Sequence, residues 1–226
     1  MNIFIINPNS DPEMTQVIRQ KAQNFASGDF EVECQRVTEA PSFIETYEDE
    51  IKSAPGMIKR LRENESYFHA FIVACHCDPN LDLLKEISTK PVLGIGEASM
   101  KIATLLGHRF SILSTTPHSI PNKEALVRKY HLQDSLASIR VPGKEKRQNQ
   151  SRDSYLHAAR KAMKEDGAEV IVLGCAGMTD LDKFLEKNTG VPVLDGVVCG
   201  LMIAAGLAKY NTSISKIRRY RGKSGF

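Results

Sequence analysis

The sequence predicts an α/β protein of two pseudo-symmetric lobes, each a short parallel sheet flanked by helices, with the active site in the cleft between them. Three observations predict it. Apolar runs of strand length alternate with helical patterns, which implies parallel sheets joined by right-handed crossovers. One frame occurs twice, one hundred positions apart: Phe71-Ile72-Val73-Ala74-Cys75-His76-Cys77-Asp78 and Ile171-Val172-Leu173-Gly174-Cys175-Ala176-Gly177-Met178. The repeat then continues. Leu81-Asp82 is answered by Leu181-Asp182, and Pro91-Val92-Leu93 by Pro192-Val193-Leu194 with one residue of slippage. Duplication explains that order better than chance. Two related lobes would bring the carboxyl ends of their strands to one cleft, where ligands of open α/β sheets bind. The first lobe is expected over 1–97 plus 197–226, the second over 98–196.

The elements follow in order. Ile3 to Ile6 is a buried strand, and Asn7-Pro8-Asn9-Ser10-Asp11-Pro12 a turn into a helix over Pro12–Ala26, with Pro12 suited to its first position. Glu31–Val37 alternates polar and apolar, so it reads as a more exposed strand. A helix over Gly56–Glu65 leads to the strand Ala70–Ala74. Asp78 can cap a helix with Pro79 in its first turn. Pro91–Ile95 is a buried strand and Ser99–Leu106 a helix. His108–Leu113 is a strand ending in the hydroxyl cluster Ser114-Thr115-Thr116. Helices are predicted over Asn122–Tyr130 and Ser151–Asp166. Ala168–Leu173 is a strand, Thr179–Lys187 a helix, Val191–Leu194 a strand and Val197–Tyr210 an apolar helix. Val141–Gln150 reads as an exposed loop. The basic tail from Lys216 to Lys223 reads as a solvated terminus, with anion or partner binding as the other option.

The 226 residues suffice for a good core. Hydrophobic content of 42% and charged content of 25% are ordinary for a soluble globular protein. The net charge of +3 is too small to argue for nucleic acid. No apolar run approaches the ~20 residues that span a bilayer, and the N-terminus lacks the basic region of a secretion signal. A cytoplasmic home is the expectation. Five cysteines, an odd number, do not form a disulfide framework.

The chemistry rests on Cys75 and Cys175. A thiolate and a thiol flanking a substrate carbon act as base on one side and acid on the other, and swap roles for the opposite enantiomer. Both precede predicted helix starts, capped by Asp78-Pro79 and by a Thr179/Asp182 capping box, and helix N-termini favour a thiolate. Loop amides there could hold the oxygen of an enolate-like intermediate. Taken singly, a cysteine at a strand end is more often structural, and Cys34 and Cys199 are read as core. Cys75-His76-Cys77 also invites a metal or a redox reading. Zinc wants two spaced ligand pairs, and Cys175 brings no second pair, so no metal is assigned. No dinucleotide fingerprint, P-loop or nucleophile elbow is present, and no cofactor is called for.

With these motifs in view, the chain resembles the Asp/Glu/hydantoin racemase superfamily, and within it the hydantoin and allantoin racemase branch. The markers run nearly end to end: Ile6-Asn7-Pro8-Asn9-Ser10, Pro41-Ser42-Phe43-Ile44-Glu45 with Tyr47, Ala74-Cys75 with Asp78-Pro79, Gly107-His108-Arg109-Phe110-Ser111, Ser119-Ile120-Pro121 and Leu173-Gly174-Cys175-Ala176-Gly177-Met178. The resemblance implies a cofactor-independent racemase with Cys75 and Cys175 as its acid–base pair and a first lobe completed by the C-terminal helix. It implies substrate contacts at Asn9, His76, Cys77, Ser114, Thr115, Ala176 and Gly177. Members acting on free amino acids place Asn-Thr or Thr-His beside their cysteines, whereas His76-Cys77 and Ala176-Gly177 suit a neutral ring. Two departures from the pattern stand out: His76-Cys77 replaces an aromatic and a small residue, and His118 stands where many members have Arg. A small-molecule substrate and a homo-oligomer are expected, with no nucleic-acid or membrane partner. The competing readings are a racemase of free aspartate or glutamate, an isomerase or decarboxylase on the same fold, and a binding protein without turnover.

Overall fold

Isoleucines 3, 5 and 6 and Phe4 lie fully buried on both faces of strand β1 (Asn2–Asn7), as a central parallel strand requires. Burying each such side chain contributes about 1.5–3 kcal/mol. Residues 1–143, 150–178 and 180–222 are described by the computed structural model. β1 lies between β2 (Glu31–Arg36) and β3 (Ala70–Val73), and β3 pairs in turn with β4 (Val92–Gly94). All these pairings are parallel. Phe4 and Phe71 meet Phe68, with the Phe4–Phe68 rings edge-on at 4.9 Å.

The second sheet repeats the plan with β5 (Phe110–Leu113), β6 (Leu136–Arg140), β7 (Val170–Leu173) and β8 (Val193–Leu194), in the parallel order β6-β5-β7-β8. In each sheet the first strand in sequence is central, the second forms an edge, and the third carries a cysteine just past its end. The chain thus divides into two units, Met1–Ile95 with the segment from Gly200 onward, and Gly96–Cys199. This is the α/β class the sequence predicts, with two parallel four-stranded sheets flanked by helices.

The helices are α1 (Pro12–Ala26), α2 (Tyr47–Asn64), α3 (Leu81–Ile87), α4 (Ile95–Leu106), α5 (Ile120–Lys129), α6 (Arg152–Asp166), α7 (Leu181–Thr189) and α8 (Gly196–Lys209). α1 starts at the predicted proline because the Asp11 carboxylate accepts from the amides of Glu13 at 2.8 Å and Met14 at 3.1 Å. α2 begins nine residues before the predicted Gly56. Thr46 and Asp49 form a reciprocal capping box there, and Pro55 sits inside the helix. β6 is not among the strands the sequence predicts. Its residues are half-buried at a sheet edge, so no apolar run announces it.

Two further expectations are corrected. Asp78 does not cap α3. It has φ 48°, and the helix starts at Leu81 after a left-handed Asn80. The same displacement occurs in the second unit, where α7 starts at Leu181 after a left-handed Asp180. Thr179, expected as the cap there, lies outside the described residues. Each cysteine is therefore carried by a turn, six residues ahead of the first residue of a helix. The basic tail is not simply solvated. Lys216 donates to the carbonyls of Lys85 at 2.5 Å and Glu86 at 2.9 Å, while Arg219 and Tyr220 both reach Asp82 at 2.9 Å. These contacts satisfy carbonyls of the last turn of α3 and anchor its first turn. Lys223 and residues 144–149 of the expected loop lie outside the described residues.

Candidate functional site

In the first unit, β1 ends at Asn7, whose side-chain amide donates to Asn9 Oδ1 at 2.8 Å and Thr15 Oγ1 at 2.9 Å. Asn9 Oδ1 also accepts from the Asp11 amide at 3.1 Å, and its Nδ2 reaches Met14 Sδ at 3.2 Å. Asn9 is buried, so its amide shapes the turn at the strand's carboxyl end. On the neighbouring strand, the Ala74 amide donates to Ile6 O at 2.9 Å, which fixes the approach to Cys75. The Asp78 amide then donates to Cys75 O at 3.0 Å and closes a turn over Cys75–Asp78. Cys75 and Cys77 are half-buried, whereas His76 is almost fully enclosed. A Cβ on Gly94 would overlap the Asp78 carboxylate, so β4 needs a glycine where it passes this turn.

The second unit repeats this geometry with other side chains. The Gly174 amide donates to Leu113 O at 2.8 Å and the Met178 amide to Cys175 O at 3.2 Å. Ser114 is buried, its amide bonded to Arg140 O at 2.7 Å and its hydroxyl 2.5 Å from that of Ser119. Ser119 in turn donates to Thr116 O at 2.8 Å. Ser114 is thus spent on shaping the loop after β5. Cys175 opens on a cavity of about 250 Å³, which Thr115 and Gly177 also line. Ala176 is buried outside that lining.

Sequence reasoning missed Gln150, Arg152, Tyr155, Met178 and Leu181 as lining residues of this cavity. Tyr155 donates to Gln150 Oε1 at 2.5 Å, and Gln150 Nε2 donates to Thr115 O at 2.6 Å. That chain ties the start of α6 to the loop after β5. No local pattern marks Gln150, which ends a polar stretch read as loop. Tyr155 was readable only as an aromatic on the inner face of a helix.

The five thiols separate by environment. Burial pushes the Cys34 thiol up to about 12, with Arg19 opposing and Glu33 adding slightly. Burial likewise pushes Cys199 up to about 12, helped by Asp195 and Asp182. Both stay protonated at neutral pH. Cys75, Cys77 and Cys175 are the half-buried ones, and none of the five is in a disulfide. Among the described residues no three or more His, Cys, Asp or Glu side chains gather in a way that could hold a metal. No helix among them is long and apolar enough to cross a membrane.

The chain is similar to known proteins in sequence and in fold. The chain is 36% identical to the hydantoin racemase of Pseudomonas sp. (strain NS671), covering 98% of this chain and 91% of the relative. Its fold superimposes on an allantoin racemase from Klebsiella pneumoniae with a TM-score of 0.92 at 29% identity, covering 100% of this chain and 95% of that one. A second allantoin racemase structure, from Pseudomonas fluorescens, gives a TM-score of 0.91 at 30% identity with complete coverage of both chains. The family described as Asp/Glu/Hydantoin racemase matches residues 3–204, from the first strand through most of α8. With the duplicated sheet, the paired strand-end cysteines and this end-to-end match, the chain belongs to the Asp/Glu/hydantoin racemase family.

Proposed function

We propose that this racemase inverts the C5 centre of a 5-substituted hydantoin or of allantoin, without a cofactor, using Cys75 and Cys175 as a two-base pair. The observation that carries the reading is the repeated turn. Each unit presents a half-buried cysteine at the start of the turn past its third strand, held by the same two backbone hydrogen bonds, with Cys77 a further half-buried thiol in the first unit's turn, while Cys34 and Cys199 are buried and protonated. One thiolate takes the C5 proton, and the opposite thiol delivers one to the other face. The carbanion is delocalised onto the adjacent ring carbonyl as an enolate, whose oxygen suits the amides of the cysteine turns. The ring proton lies between a carbonyl and an acylated nitrogen, so a thiolate is a sufficient base. The names of the relatives support this substrate class. The uncharged neighbours Ala176 and Gly177 fit a neutral ring better than a free amino acid.

The reading requires the two thiols to face one substrate carbon from opposite sides. It is tested by incubating the protein in D₂O with L- and D-5-substituted hydantoins, allantoin, aspartate and glutamate. Optical rotation should decay for the ureides with deuterium entering at C5. Exchange confined to aspartate or glutamate would overturn the substrate assignment, and no exchange with any of them would leave a binding protein.

A further inference from the structure

Lys123 is only 2% exposed, a rare setting for a lysine. It sits in the first turn of α5, and its ammonium donates to Gly174 O at 2.8 Å. Gly174 is the residue before Cys175. Its own amide is already bound to Leu113 O at 2.8 Å, so the residue is gripped from both sides. The Met178 amide on Cys175 O then closes the turn. Lys123 also packs along Gly174: a Cβ there would come within 3.1 Å of Lys123 Cε.

The duplication isolates what this lysine adds. The Cys75 turn has counterparts of both backbone bonds, from the Ala74 amide to Ile6 O and from the Asp78 amide to Cys75 O. The position in α1 that matches Lys123, fourth in the helix, is Thr15. Thr15 accepts from Asn7 and donates to Asp11 O at 2.6 Å, so it serves the turn after β1 and not the peptide before the cysteine. A lysine at this helix position belongs to the second unit alone.

We propose that Lys123 is a positioning residue for Cys175: by holding the Gly174 carbonyl it sets the orientation of the Gly174–Cys175 peptide and so the direction in which the thiol points. This rests on the assignment of Cys175 to the reaction. The aliphatic stem fills core space, and the ammonium orders the peptide of the reacting residue. Misplacing a reacting group by a fraction of an ångström lowers the rate of the chemical step while leaving ground-state binding largely intact.

The test compares wild type with K123M, which keeps the stem and removes the donor, and K123R, which restores a donor. Folding of each is checked by thermal melting. In K123M, kcat should fall about tenfold or more while KM stays within about twofold, and K123R should recover part of kcat. Independently of turnover, the ratio of Cys175 to Cys75 alkylation by iodoacetamide should fall severalfold in K123M, with Cys75 as internal standard. A folded K123M with wild-type kcat and an unchanged labelling ratio overturns the proposal. If K123M does not fold, K123Q, whose donor stops one bond short of the carbonyl, carries the same two readouts. If wild type racemises none of the substrates, the assignment of function fails, and the labelling ratio alone then decides the role of Lys123.

Discussion

A Cβ placed on Gly174 would lie 2.6 Å from the carbonyl oxygen of Leu113, closer than real Cβ atoms come to backbone. The same oxygen accepts the Gly174 amide, so β5 cannot yield without losing a hydrogen bond of the Cys175 turn. Gly174→Ala should therefore cost about 1–3 kcal/mol of stability. Racemisation should fall more than the melting temperature suggests, since the displaced peptide carries Cys175. Calorimetry alongside optical rotation measures both. Ala74 occupies the matching place in the first unit, so Ala74→Gly should leave the Cys75 turn in place and cost about 1 kcal/mol or less.

Removing either member of the proposed pair should break the relay. Cys75→Ser and Cys175→Ser are each expected to lower racemisation by about a thousandfold, because a neutral hydroxyl is a far weaker base than a thiolate. Cys34→Ser is the control, with wild-type kcat in whatever fraction remains folded. Equal activity in Cys75→Ser and wild type would refute the two-base assignment.

The thiols should also sort by reagent. At pH 8, iodoacetamide is expected to modify Cys75, Cys77 and Cys175 in the native protein. Cys34 and Cys199 should react only after denaturation, because burial holds both thiols near 12 and blocks access. Peptide mass spectrometry over a time course reads the order. Early modification of Cys199 would contradict the burial of the start of α8.

Arg140 grips Asp166 with two prongs, Nε to Oδ2 at 2.6 Å and Nη2 to Oδ1 at 2.8 Å, joining β6 to the end of α6. The Arg140 hydrogen bonds hold the Asp166 carboxyl below its ordinary range against the opposing effect of desolvation. A carboxyl lowered in the folded state stabilises it above its unfolded value, about 3.8. That contribution is lost as pH falls through the lower folded value. Asp166→Asn should thus cost about 1 kcal/mol at pH 7. The gap from wild type should narrow steadily below about pH 4. Melting curves from pH 2 to 7 in low salt test this, and a gap independent of pH would exclude the ion pair as its source.

Much of this protein is written locally. The apolar runs at Ile3–Ile6, Phe71–Val73 and Ile171–Leu173 fix the central strands, because a strand buried on both faces needs apolar residues at every position. Proline and an acidic cap fix the start of α1 within its own first turn. The repeated frame and the two cysteines at matching strand ends could be read without coordinates, since duplication is preserved in linear order.

What the linear order does not hold are the features set by residues distant along the chain. The edge strand β6 exists because β5 offers it a partner, and its half-buried residues carry no pattern of their own. The helix after each cysteine starts later than its local signals suggest, at Leu81 and Leu181, each time behind a left-handed residue, Asn80 or Asp180. Gln150 reaches the cavity through its bonds to Tyr155 and Thr115, and Lys123 reaches Gly174 across 51 residues of sequence. Local propensity acts over a few residues, whereas hydrogen-bonding a buried amide or ammonium depends on which strands and helices pack beside it. The sequence alone therefore determined the class of fold and the pair of thiols, and tertiary structure decided the turn that carries each thiol and the side chains that hold it.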